Sequence, residues 1–159
     1  MTTSAPTERL GAVPATRHCL DLKELEHLPK DPSVLSGVID GLRERADTEL
    51  ARLFDQKTPI SELVHARAWV VEQLVIAVFE TLIQPSDGLC LCAVGGFGRG
   101  ELHPHSDVDL LLIHPHDQCL PTDTSEAVTH FVQVLWDAHL HPGHSVRNIR
   151  ECIHHARQD

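Results

Sequence analysis

Four glycines in six positions, at 95, 96, 98 and 100, stand between two apolar runs, Leu89–Val94 and Val108–Ile113. Short continuous apolar runs read as interior strands, and a link this rich in glycine lets the backbone turn tightly without side-chain obstruction. The second run opens on an aspartate pair, Asp107 and Asp109. Residues two apart on a strand project to one side, so both carboxylates are expected together beside the turn, with Val108 facing the core. Carboxylates this close repel each other unless a cation lies between them. Hard oxygen donors suit Mg2+ or Mn2+, so Asp107 and Asp109 are candidate metal ligands and catalytic groups. The plain alternative is a solvated strand start with an Asx turn at Ser106–Asp107.

The glycines admit two readings as well. Their bare N–H groups suit a phosphate cradle, and a flexible turn has the same composition. Arg99 either offers its fork of donors to a phosphate oxygen or is a surface arginine. Ser106 either hydrogen-bonds a phosphate or caps the turn, and His103 and His105 are read as shaping the loop.

The rest of the chain supplies a scaffold. Residues 1–30 carry no sustained period and read as a loosely ordered lead-in. Asp31-Pro32-Ser33 starts an amphipathic helix running to about Phe54, and a second, broadly apolar helix spans about Ser61 to Leu82. Pro85–Gly88 marks a turn. Asp123-Thr-Ser-Glu126 resembles a capping box before a third helix over roughly Glu126 to His139. A third strand is expected around Ser145–Val146, followed by a helix from about Ile149. The fold class is mixed α/β: a short mixed sheet flanked by helices and preceded by two N-terminal helices.

Composition narrows the partners. A formal charge of −10 over 159 residues opposes broad adhesion to nucleic acid or anionic membranes, since both need clustered Lys and Arg. No apolar run approaches the roughly 20 residues that cross a bilayer. The first 17 residues lack a secretory pattern, so a cytoplasmic location is expected. Cys19, Cys90, Cys92, Cys119 and Cys152 form an odd, scattered set that reads as reduced thiols, with Cys90 and Cys92 as buried packing residues. The 13 histidines include the spaced pairs His103/His105, His114/His116 and His139/His141. No Cys/His quartet of zinc-finger spacing accompanies them, which favours surface loops over zinc.

Two glycines followed by an Asp-x-Asp pair leading into apolar residues resemble the signature of the DNA polymerase beta-like nucleotidyltransferase superfamily. More narrowly, Gly95-Gly-Phe-Gly-Arg-Gly-Glu-Leu-His-Pro104 with Ser106-Asp-Val-Asp-Leu110 resembles the N-terminal nucleotidyltransferase domain of bifunctional uridylyltransferase/uridylyl-removing enzymes, which modify the PII nitrogen-signalling protein. Gly143–Arg147 and Glu151-Cys152 resemble that family's next block, so the likeness covers roughly residues 30–159. It implies metal-dependent uridylyl transfer from UTP to a PII tyrosine with release of pyrophosphate. Gly95 and Gly96 would support the phosphates, Arg99 and Ser106 would join the nucleotide site, and Asp107 and Asp109 would bind Mg2+ or Mn2+. Such enzymes commonly use a third acidic residue from a neighbouring strand. The stretch 139–148 has none, which leaves Glu151, Asp159 or a residue outside the chain. The family also implies a further transferase region, an HD hydrolase domain and two ACT domains, so residues 31–159 read as a partial domain. Two alternatives remain: an inactive fragment acting only as a binding module, or a transferase for another nucleotide or acceptor.

Overall fold

The computed structural model of the protein describes residues 18–115 and 120–157. Of the lead-in, residues 18–30 are therefore visible: Leu22–Leu25 form a 3-10 turn, and Cys19 and Leu20 are buried in the core. Helix α1 (Pro32–Asp55) begins where the Asp31 carboxylate accepts the N–H groups of Ser33 at 2.9 Å and Val34 at 3.3 Å. Proline at the first helical position needs no partner for a missing N–H. Leu35, Ile39, Leu42, Ala46 and Leu50 recur every three or four residues and are all buried, as an amphipathic helix requires. Helix α2 (Ile60–Leu82) follows Pro59 and buries Val64, Val71, Leu74 and Val78 among others.

Three strands follow, β1 (Cys90–Ala93), β2 (Val108–His114) and β3 (Pro142–Asn148), in the order β1-β2-β3. β1 runs antiparallel to β2 and β3 parallel to it. Residues 94–107, which include the single helical turn α3 (Gly95–Gly98), bring the chain back antiparallel from β1 to β2, whereas the parallel partner β3 needs a crossover through residues 115–141. That crossover contains helix α4 (Thr122–Asp137), and helix α5 (Ile149–His155) closes the described chain. The helix α4 start corrects the sequence expectation. Pro121 precedes its first residue and Asp123–Glu126 lie inside the helix, so no capping box forms there. Proline before the helix displaces the start signal N-terminally, because its ring excludes helical backbone from the residue ahead of it. A reciprocal box forms instead at α5, where Asn148 accepts the N–H of Glu151 and Glu151 accepts that of Asn148, both at 2.8 Å.

β2 alternates: Val108, Leu110, Leu112 and His114 are buried, while Asp109, Leu111 and Ile113 are partly exposed. The buried side joins one cluster with Leu35, Ile39, Leu74, Val78, Phe131 and Leu135 from the helices. Cys90 and Cys92 are not the buried residues expected. Cys90 is exposed and Cys92 half-buried, because β1 is an edge strand and they share the partly exposed sheet face. Cys19 and Cys152 are also free thiols; Cys119 and His116 lie outside the described residues.

A part-buried ionic clamp fixes how α4 leads into β3. Arg43 of α1 donates from Nη2 to Asp40 at 2.7 Å, from Nη1 to Asp47 at 2.7 Å, and from Nε to the Ala138 carbonyl at 3.1 Å. Arg67 of α2 reaches the other oxygen of Asp47, and His139 Nδ1 lies 3.2 Å from Asp40. The clamp thus ties α1 and α2 to the end of α4, four residues before β3 begins. Among the described residues no helix is long and apolar enough to cross a membrane.

Two outcomes follow for stability. Phe131 has no exposed surface and meets Phe79 edge to face at 5.6 Å. Phe131→Ala should cost about 3–5 kcal/mol in urea unfolding; a cost under 1 kcal/mol would show that the helices do not pack around this ring. The hydrogen bond from Arg43, with help from its charge and from His139, holds the Asp40 carboxyl below the usual carboxylate range. Its ionised form stabilises the fold above the unfolded value of about 3.9, and that contribution disappears as pH falls through the lower folded value. Asp40→Asn should therefore flatten the acid limb of the stability profile below about pH 4, measured by thermal melts across pH; an unaltered limb contradicts the clamp.

Candidate active site

The glycine turn springs directly from the sheet. The Val94 N–H donates to the Asp109 carbonyl at 3.0 Å, and the next residues, Gly95–Gly98, form a single helical turn, α3. Gly98 N–H closes it on Val94 O at 2.8 Å, while Arg99 and Glu101 both donate to Gly96 O at 3.0 Å. The N–H groups of Gly95, Gly96 and Phe97 open this turn and have no acceptor four residues back within it. Phe97 anchors the turn in the core. Not every glycine here speaks for a ligand: a side chain at Gly98 would stand 2.7 Å from the Ala93 carbonyl, a requirement of the fold.

Asp109 occupies the second position of β2, opposite Gly143 of β3. A Cβ at Gly95 would lie 2.6 Å from its Oδ2, and one at Gly143 would lie 2.8 Å from its Oδ1. The carboxylate therefore sits in a slot whose two walls are backbone without side chains. Gly95 also has φ +60°, in the left-handed region that a side chain disfavours. Gly143 opens the block that resembles the family's, and the sequence gives it no role; a glycine inside a strand is the signal of such a close approach, and only the register reveals what approaches.

Asp107 lies one residue ahead of β2 and is exposed, whereas Asp109 is partly buried. Neither carboxylate has a hydrogen-bond or ion-pair partner among the described residues, and the Asx turn considered for Asp107 does not form. The preceding turn is closed by Ser106 N–H on the His103 carbonyl at 3.1 Å, with His105 at φ +66°. The Ser106 hydroxyl is likewise unengaged among the described residues. Arg99 folds back on its own turn: Nη1 donates to Gly95 O at 3.0 Å and Nε lies 3.7 Å from Glu101. Both groups are largely exposed, so this pairing is weak and leaves the guanidinium free to reorient.

The donor set fits a small hard cation. Mg2+ commonly takes one or two carboxylates and fills its octahedron with water and substrate phosphate oxygens, and here the Asp109 carboxylate, without a cation partner among the described residues, borders the turn of open N–H groups, with the exposed Asp107 two residues before it in the chain. Among the described residues no third His, Cys, Asp or Glu converges to complete a protein-only site. Glu151 is held elsewhere. It caps α5 beside Asn148, which pairs with His114, five residues along the ladder from the Gly143–Asp109 pair, or about 16 Å away. Asp159 lies outside the described residues.

Gly143→Ala should destabilise the protein because its methyl group collides with the Asp109 carboxylate, and Asp109→Ala should relieve the collision. A double-mutant cycle on urea unfolding is expected to show a coupling of about 0.5–3 kcal/mol; additive effects would mean that the slot is not filled by Asp109.

Residues 77–148, from the second half of α2 to the end of β3, match the family model described as a nucleotidyltransferase domain. The chain is 38% identical over 129 residues to a bifunctional uridylyltransferase/uridylyl-removing enzyme of Psychrobacter cryohalolentis, covering 79% of this chain and 14% of that protein. It is 42% identical over 104 residues to the enzyme of the same name from Pseudoalteromonas translucida, covering 65% of this chain and 12% of that protein. Against the one from Methylococcus capsulatus the identity is 40% over 112 residues, covering 70% and 12%. The chain thus spans about an eighth of the length of these relatives. No solved structure matches it. Residues 77–148 are thus a nucleotidyltransferase domain by family match, and over 65–79% of its length the chain is similar to part of bifunctional uridylyltransferase/uridylyl-removing enzymes.

Proposed function

We propose that residues 31–159 are part of a uridylyltransferase domain that moves a uridylyl group from UTP to a tyrosine of the PII signal protein, releasing pyrophosphate. The observation that carries this reading is the Asp109 slot: a carboxylate walled by Gly95 and Gly143, unpaired with any described cation, beside the α3 turn. Asp107 and Asp109 hold Mg2+ or Mn2+, which when bound neutralises triphosphate charge and charge developing on the transferred phosphorus. Gly95 and Gly96 present backbone N–H groups to phosphate oxygens. Arg99 exchanges its local carbonyl for a phosphate oxygen, which suits its fork of donors, and Ser106 donates its hydroxyl to the same anion.

In this reaction the acceptor oxygen forms a bond to the α-phosphorus as the bond to pyrophosphate breaks, and the hydroxyl proton passes to solvent. The chain's contribution is placement. Rigid walls fix the Asp109 oxygens before substrate arrives, so little reorganisation accompanies the transfer of charge. The negative balance of the protein, −10, works against an incoming triphosphate, which makes counter-charge at this position a condition of binding rather than an accessory. The uridylyl group follows the name of the similar enzymes, and the PII tyrosine follows the motif resemblance of residues 95–110.

Calorimetric titration of UTP should show binding that requires Mg2+ and weakens by an order of magnitude or more in Asp107→Asn/Asp109→Asn, with the thermal midpoint essentially retained. Equal binding by the double variant, or binding indifferent to chelation of divalent ions, overturns the proposal. UTP should also outcompete ATP, GTP and CTP; preference for another nucleotide leaves nucleotidyl transfer standing and rejects the uridylyl assignment.

A further inference from the structure

The sheet face that carries Asp109 also carries two thiols. Cys90 and Cys92 lie on the same side of β1, opposite Ile113 and Leu111 of β2. Their sulfurs are 3.9 Å apart; Cys90 is exposed and Cys92 half-buried. Exposure at the sheet edge argues against a packing role, and two chemistries remain for such a pair.

A disulfide is the poorer match. It needs sulfurs at about 2.05 Å and Cα atoms usually within about 6.8 Å, yet two residues of extended strand already span about 6.4–6.8 Å. The pair would sit at the limit of the permitted range, and the strand would have to pucker against its ladder with β2. Chelation needs no such movement. Two bonds of about 2.3 Å from one tetrahedral ion place their sulfurs about 3.8 Å apart, close to the spacing already present.

We propose that Cys90 and Cys92 form a bidentate thiolate site for a soft divalent cation of the Zn2+ and Cd2+ class. On binding, each thiol releases its proton to solvent and each sulfur forms one bond to the ion; nothing is oxidised or reduced. Among the described residues no third His, Cys, Asp or Glu joins the pair in a ready-made site, so water or a small anion completes the tetrahedron. Cys152 of α5 is near enough for its charge to be felt at Cys92, whose thiol is pushed up first by burial and then by the hydrogen bond and charge of Cys90.

The site is separate from the aspartates. Cys92 faces Leu111, two residues beyond Asp109 on the same face, or about 7 Å along the strand. Ligand softness divides the two further, since thiolates select Zn2+ and Cd2+ while carboxylates suit Mg2+. A thiophilic ion can therefore occupy β1 while a hard ion is held at Asp107 and Asp109.

The test is a Cd2+ titration of the full 159-residue chain, kept reduced with a phosphine in excess Mg2+, following the thiolate-to-cadmium charge-transfer absorption. One equivalent should bind. Cys90→Ser and Cys92→Ser should each weaken binding by an order of magnitude or more, with far-ultraviolet circular dichroism unchanged, whereas Cys19→Ser, Cys119→Ser and Cys152→Ser should retain it. No absorption in the parent chain, or wild-type affinity in Cys90→Ser/Cys92→Ser, overturns the proposal. So does loss of binding confined to the Cys19, Cys119 or Cys152 variants.

Discussion

The Asp109 carboxylate lies where three pieces of backbone meet: the first turn of α3, the second position of β2 and the second position of β3. Two of those pieces can come so close only because Gly95 and Gly143 lack side chains. Space is thus removed around the carboxylate rather than filled by it, and its oxygens are positioned by sterics instead of by hydrogen bonds. A side chain held by hydrogen bonds would have spent its lone pairs on the protein. One held by walls keeps them for a cation and for whatever that cation carries.

The remainder of the fold brings β3 to this place at the correct register. Parallel pairing with β2 requires a crossover, which α4 supplies by packing Phe131 and Leu135 into the cluster that also buries Leu110 and Leu112. The Arg43 clamp then holds the Ala138 carbonyl, and the chain passes through His139 and His141 in left-handed conformations before entering β3. A slip of one residue along β2 would replace Gly143 beside Asp109 with Pro142 or His144, closing the slot or exposing the wrong face. Binding geometry and core packing are therefore linked: apolar helices some distance away set the register that leaves room for the carboxylate.

The two faces of the sheet divide the work. One is buried under the helices and supplies cohesion. The other stays partly open and displays, along a few residues of strand, hard oxygen donors and soft sulfur donors in separate places. Burial on one side permits this, because a sheet anchored through Val108, Leu110 and Leu112 does not need its second face for stability.

Much of this was legible in the order of residues. The two long helices follow from apolar spacing with Asp31-Pro32 ahead of the first, the strands on either side of the glycines from short apolar runs, and the aspartate pair from its place at the head of the second run. These features are local, and local periodicity is what a sequence displays. The start of α4 was misplaced because Asp123 and Glu126 have cap spacing, yet proline at 121 defines the boundary. Cys90 and Cys92 were assigned to the interior because an apolar run does not tell an edge strand from a central one. The role of Gly143 was hidden too, since nothing in the 33 residues between it and Asp109 states which strand positions face each other. Residue order by itself determined the elements, the bare turn and the acidic pair, because these depend on neighbours in the chain. Tertiary structure alone decided the strand register, the exposed thiol face and the two-glycine slot, because each depends on contacts between segments that packing, and not sequence proximity, brings together.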